Sequence, residues 1–156
     1  MLFAPLKYIH LLAVFVWLGG MAFSHFFLRP AVQSLEPAAR VQLMHGVLKR
    51  FFAAMLITVA VVLLSGLGMV GSVYKMAAQA DLQFQMPLAW KVMIALGLVM
   101  AAIFGHIRFA LFKRLERAVQ AADWPAGGQA LASIRFWVAA NLALGVAIIT
   151  ALRLTA

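Results

Sequence analysis

Cysteine is absent from the 156 residues. Disulfides, thiolate metal sites and cysteine redox chemistry are therefore excluded, and any metal or cofactor must be held by histidine, methionine, lysine or backbone. Charge is also scarce: 11% of residues are charged, where a soluble domain carries about a quarter. Acids are scarcest. The four of them, Glu36, Asp81, Glu116 and Asp123, fall in the connections between apolar runs. A carrier that moves protons on an intramembrane carboxylate is thus disfavoured. Serine-nucleophile motifs are missing as well, so hydrolytic chemistry has no candidate residues.

What is present is mostly hydrocarbon. Hydrophobic residues make up 66% of the chain, and its mean hydropathy is +1.01. No soluble fold of this length could bury so much apolar surface, so the bilayer is the expected solvent, with residues 1–156 forming one membrane domain. A helix needs about 20 apolar residues to cross the hydrocarbon core. Four segments qualify, at about residues 6–28, 51–73, 88–109 and 131–152. Backbone polar groups cannot go unpaired in lipid, so each is read as a helix. The expected fold is an all-α integral membrane protein, a four-transmembrane-helix antiparallel up-down bundle. The first apolar run is too long for a signal core. It ends in Phe26-Phe27-Leu28-Arg29-Pro30 without a small-residue cleavage site, so a retained helix is expected.

The basic residues set the expected topology. The formal charge is +9. Arg29, Arg40, Lys49 and Arg50 lie in the first connection, and Arg108, Lys113, Arg114 and Arg117 in the third. The second connection has only Lys75, near Asp81, while Lys7 and Arg153 lie towards the termini. By the positive-inside rule, connections one and three face the cytoplasm and both termini the periplasmic side of a bacterial inner membrane. This distribution, without a basic stripe, argues against nucleic acid as a partner. Ser34-Leu35-Glu36-Pro37 reads as a helix start, continuing through residues 38–50 into the second span. The third helix is expected to run past the membrane, with Leu111, Leu115, Ala118 and Ala122 on one face. Asp123-Trp124-Pro125-Ala126-Gly127-Gly128 is expected to break it.

Ionisable groups within spans are functional candidates. His10 and His25 are fifteen residues apart, which leaves only about 60° of rotation and about 22 Å of rise between them. Trp17 and Met21 fall on the same stripe, and Lys7 is one turn before His10. Lys91 and His106 repeat the fifteen-residue spacing on the third span, which is expected to run parallel to the first. Two polar rungs result: His10 with Lys91 at the outer surface, His25 with His106 at the inner. Nitrogen ligands from facing helices hold haem or metal in bundles, and a deprotonated lysine can join them. The rungs point to one or two haem b groups. Two would give a transmembrane electron path; one would give redox work at a single surface. An enzyme built this way is a haem-dependent membrane oxidoreductase.

Blander readings stand beside these. Each histidine suits the headgroup level, and Lys91 suits a snorkelling lysine beside the belt residue Trp90. His45 is either an alternative inner metal ligand or an interfacial residue near Lys49 and Arg50. Arg29, Arg50, Arg108 and Arg135 suit haem carboxylates or lipid phosphates. Asn141, inside the fourth span, is expected to bond another helix. Nine methionines raise copper as the alternative metal, since thioethers bind Cu(I). They form no Met-x-Met or Met-x-x-Met cluster, however, which favours packing. Gly19-Gly20, Ser65-Gly66-Leu67-Gly68 and Gly145 allow helices to approach closely or make room for a macrocycle.

Lys7-x-x-His10 followed by Trp17-Leu18-Gly19-Gly20 resembles the opening helix of the copper-resistance D (CopD) family, which is similar in turn to the HemJ-type protoporphyrinogen oxidases. Trp90-Lys91 resembles a further family position. The resemblance covers most of the chain on few diagnostic residues. The HemJ-type relatives imply a haem b held by His10 and Lys91, and the CopD relatives imply copper uptake or tolerance. The match is closer to the CopD side, so oxidase activity is not carried over. His25 fits neither pattern, and the inner rung rests on helical geometry. The expected partners are the bilayer, a redox partner or quinone, and further copies of the chain or a larger membrane complex. A small structural subunit of such a complex is the third reading.

Overall fold

The computed structural model of the chain describes residues 2–154; the Arg153 side chain, counted in the topology argument, lies outside the described part. Among the described residues there is no strand. The described residues form four helices: α1 (Phe3–Ser34), α2 (Pro37–Gln79), α3 (Leu88–Gln120) and α4 (Trp124–Leu154). All four are long and apolar enough to cross a membrane. At about 1.5 Å per residue, the 43 residues of α2 exceed the hydrocarbon thickness about twofold. The extension is at the start of the helix: Pro37 occupies the first turn, where a missing N–H costs nothing, and the helix runs unbroken through Arg50.

The connections are closed by backbone hydrogen bonds. Asp81 (φ 53°) and Ala122 (φ 51°) adopt the left-handed conformation just past α2 and α3. The Leu82 N–H then donates to the Ala77 carbonyl and the Asp123 N–H to the Ala118 carbonyl, completing a Schellman motif at each end. The second motif corrects the expected break. Chain reversal is confined to residues 121–123, and Trp124-Pro125-Ala126-Gly127-Gly128 is already helix. Asp123 caps it, its Oδ1 accepting the Ala126 N–H at 3.0 Å, and Pro125 sits in the first turn. Gly127 is needed for contact: a Cβ there would lie 2.7 Å from Val41 Cγ1 of α2.

Side-chain contacts fix the register. Along the α1–α2 seam Leu6 meets Gly68, His10 meets Gly66, and Gly20 meets Phe51, so numbers rise on one helix as they fall on the other. At Gly145, α4 receives Leu18 of α1 and Met100 of α3. The core is built from Trp17, Met21, Phe52, Met55, Met100 and Phe104, with Phe112 closing one end. Trp17 and Phe52 both place their rings edge-on to Phe104, and Phe52 does the same to Phe112. Phe15, Leu64, Leu67 and Phe136 point outward, as expected where the solvent is lipid.

Two helices widen locally. α1 forms a π turn at Ser24–Leu28 and α3 forms one at Ile107–Leu111. Each admits one extra residue and rotates everything downstream relative to an unbroken α-helix.

Candidate functional site: an oriented histidine and a basic cleft

The stripe on α1 is the buried one. Ala13, Trp17 and Met21 are buried along it, with Trp17 only 4% exposed. At its amino-terminal end, His10 turns towards α2. Its Nδ1 lies 3.0 Å from the Val62 carbonyl oxygen and 3.0 Å from Ser65 Oγ. A carbonyl only accepts, so Nδ1 carries the proton and donates. Ser65 can accept as well, because its own hydroxyl proton goes to the Val61 carbonyl. In the neutral imidazole the lone pair is then on Nε2, which makes no hydrogen bond among the described residues. Imidazoles that bind metals are oriented in this way, with the second nitrogen tied to a backbone carbonyl. Gly66 borders the ring: a Cβ there would sit 3.5 Å from His10 Cε1.

Lys91 is exposed, and no hydrogen bond joins it to His10 among the described residues. Its neighbour Trp90 stacks on Phe3, centroids 6.4 Å apart. That sets the start of α3 level with a residue about two turns before His10. His25 and His106 have different immediate neighbours. His25 lines a cleft between α1, α2 and α4, and its Nδ1 is buried without a hydrogen-bond partner among the described residues. His106 is exposed and sets its ring against Trp137 of α4, centroids 5.4 Å apart.

The other candidates have specific surroundings. His45 stacks flat on the fully buried Phe112 at 5.5 Å, and its Nε2 lies 4.0 Å from Glu116 Oε1. That distance gives an electrostatic contact but no hydrogen bond. The Arg108 guanidinium lies over the rings of Phe109 and Phe112, at 5.6 and 5.4 Å, with Nε buried and without a hydrogen-bond partner among the described residues. Asn141 is buried, yet its Oδ1 has no hydrogen-bond partner among the described residues, so the expected interhelical bond from that oxygen is not formed. No group of three or more His, Cys, Asp or Glu side chains among the described residues could hold a metal ion. Three participants had no site role in the sequence reading. The Val62 carbonyl leaves no trace in composition, whereas Ser65, beside Gly66 in the small-residue stretch, was a visible signal. Arg40, which shares the cleft with His25, was counted for topology but not for a site.

Four apolar helices with a polar side chain held at a helix seam define a multi-pass membrane protein. The chain matches the family model for Copper resistance protein D over residues 45–154 and belongs to that family, CopD. No curated protein and no solved structure matches it. The matched stretch contains His45, Trp90, Lys91, His106 and Arg108, together with the Val62 and Ser65 partners of His10. α1, with Lys7, His10 and Trp17, precedes it.

Proposed function

We propose that this CopD-family protein handles copper at the bacterial inner membrane, with the ion as cargo, and that His10 is the side chain that binds it. The observation that carries this reading is the fixed ring of His10, whose Nδ1–H is tied to Val62 and Ser65 so that Nε2 is available. Met69, one turn beyond Ser65 on the buried face of α2, offers a soft thioether in the same region. The lack of a closed multi-ligand cluster among the described residues suits a cargo ion held in passing. We also propose the up-down arrangement, with residues 1–156 as one membrane domain. The basic first and third connections then face the cytoplasm and both termini the periplasm, which puts His10 near the outer surface. Cells with and without the protein are compared for growth under copper challenge and for cell-associated copper. His10→Ala is expected to abolish the difference at equal membrane abundance, and a variant that keeps the full effect removes His10 from the reading.

A second reading, a haem b protein with an electron-transfer role, is favoured by one feature. A lone oriented imidazole needs few protein partners if a macrocycle supplies the remaining nitrogens. His10 would hold the group, with Lys91, or His25 and His106 at a second site, as further candidate ligands; bound haem would supply one-electron chemistry. The chain's part is to hold the His10 ring and exclude water with Trp17 and Phe104. A Soret band with stoichiometric iron, lost in His10→Ala, supports this reading. Copper without iron in the purified protein rejects it.

A further inference from the structure

The cleft that His25 lines is unlike the rest of the interior. It has a volume of about 240 Å³ and lies between α1, α2 and α4. Arg29 of α1, Arg40 of α2 and Arg135 of α4 all line it, beside Ser24, His25 and Gln33. None of the four acids of the chain does. Among the described residues the one ion pair is His45 with Glu116, so these guanidiniums have no carboxylate partner there. Among the described residues Arg40 donates to the Gln33 amide oxygen alone, at 3.5 Å. The buried Nδ1 of His25 likewise has no hydrogen-bond partner among the described residues.

This convergence is built by the fold. Arg29 follows directly on the π turn at Ser24–Leu28, and the cleft is completed by α2 and α4 where Gly127 lets them touch. The remaining wall is apolar, including Leu48, Phe51 and Ile134. Three forked cations and an unpaired ring nitrogen above an apolar wall suit an oxyanion with several acceptor oxygens, and the match of guanidinium to phosphate is bidentate.

We propose that this cleft is a phosphate-binding site, with Arg29, Arg40 and Arg135 as donors. The phosphate belongs either to an anionic lipid headgroup, whose chains would follow the apolar wall, or to the free anion. The proposal requires neither copper nor haem.

The test uses the full chain, purified in detergent and analysed by native mass spectrometry with added phosphatidylglycerol or phosphatidylcholine. The wild type is expected to retain phosphatidylglycerol over phosphatidylcholine by on the order of tenfold or more. The triple variant Arg29→Gln, Arg40→Gln, Arg135→Gln is expected to lose that preference. Lys113→Gln, Arg114→Gln, Arg117→Gln removes the same charge from exposed positions on α3, outside the cleft, and is expected to keep it. Ala132→Trp fills the cleft from an exposed lining position without changing charge, so it remains decisive if the triple variant does not fold; it too is expected to lose the preference. Competition by millimolar inorganic phosphate assigns the site to the free anion, and failure to compete assigns it to lipid. If both triple variants lose the preference equally, or if Ala132→Trp retains it, the basic surface acts as a whole and the proposal is overturned.

Discussion

Gly145 is where three helices depend on the absence of one methyl group. A Cβ there would overlap Leu18 Cδ2 of α1 and lie 3.2 Å from Met100 Cε of α3. Two opposing terms set the effect of Gly145→Ala. Alanine gains about 0.5–1 kcal/mol over glycine within a helix. Overpacking a filled site costs about 1–3 kcal/mol, here moderated because both clashing atoms are the far ends of flexible side chains. The expected net loss is about 1 kcal/mol. Gly145→Leu cannot be absorbed in this way. It must push α1 and α3 off α4, and in lipid close contact is the main attraction between helices, so about 3 kcal/mol or more is expected. Gly97→Ala, where a Cβ meets nothing within 4 Å, shows the propensity term alone and is expected to be neutral or slightly stabilising. The assay is reversible unfolding in mixed micelles of a mild detergent and dodecyl sulfate, followed by tryptophan fluorescence. In a Leu18→Ala background the cost of Gly145→Ala is expected to vanish, a coupling of about 1 kcal/mol. Gly145→Leu as stable as wild type, or a coupling near zero, would falsify the three-helix contact.

Three further outcomes can be read in the same assay. Ala122→Gly relieves a left-handed alanine, worth about 1–2 kcal/mol, against an entropic penalty of about 0.5–1 kcal/mol, so a net gain of about 0.5–1 kcal/mol is expected. Asn141→Leu removes a buried oxygen without a partner, whose burial costs about 1–3 kcal/mol, so stabilisation by about 1 kcal/mol is expected; a loss instead would mean that Asn141 has a partner in the working protein. Ser65→Ala leaves His10 bonded to Val62 and removes one interhelical bond, for a loss of about 0.6 kcal/mol. Metal affinity, measured by competition with a chelator, is expected to fall less than the roughly 10–100-fold typical of removing an outer partner. A larger drop would make Ser65, rather than the carbonyl, the group that orients the ring.

Much of the fold was legible because lipid leaves a chain few choices. Twenty apolar residues without a charge read as a helix, and Ser34-Leu35-Glu36-Pro37 marked the start of α2 correctly. The error at Asp123–Gly128 came from treating proline and glycine as breakers without weighing position. Behind an aspartate cap, Pro125 is a first-turn residue, and Gly127 is small because Val41 lies against it. The histidines were legible by face but not by partner. Counting 100° per residue put His10 and His25 on one side of α1 with Trp17 and Met21, and it is the structure that shows Trp17 and Met21 buried there. It could not say that His10 would meet a backbone carbonyl, nor that His106 would turn outward to Trp137. Helical arithmetic also assumes an unbroken α-helix, and the π turns after Phe23 and His106 end that assumption where the inner residues begin.

The family match begins at His45, whereas the best-oriented candidate ligand is on α1. The two are compatible because the orientation of His10 is not a property of α1. It comes from the Val62 carbonyl and Ser65 Oγ on α2, with Gly66 beside the ring, and all three lie within the matched stretch. A free α1 would present an imidazole with both nitrogens equivalent to water. Docked on α2, the same ring has one nitrogen assigned as donor and the other left as acceptor, which is the state that binds a metal. If His10 binds copper as proposed, what orients it on α2 includes a backbone carbonyl, which no side-chain substitution at position 62 removes. It follows that Val62→Ala should leave metal binding nearly intact, while a substitution that separates the seam at Gly68, where a Cβ would lie 3.0 Å from Leu6 Cδ1, should weaken it without touching His10 at all.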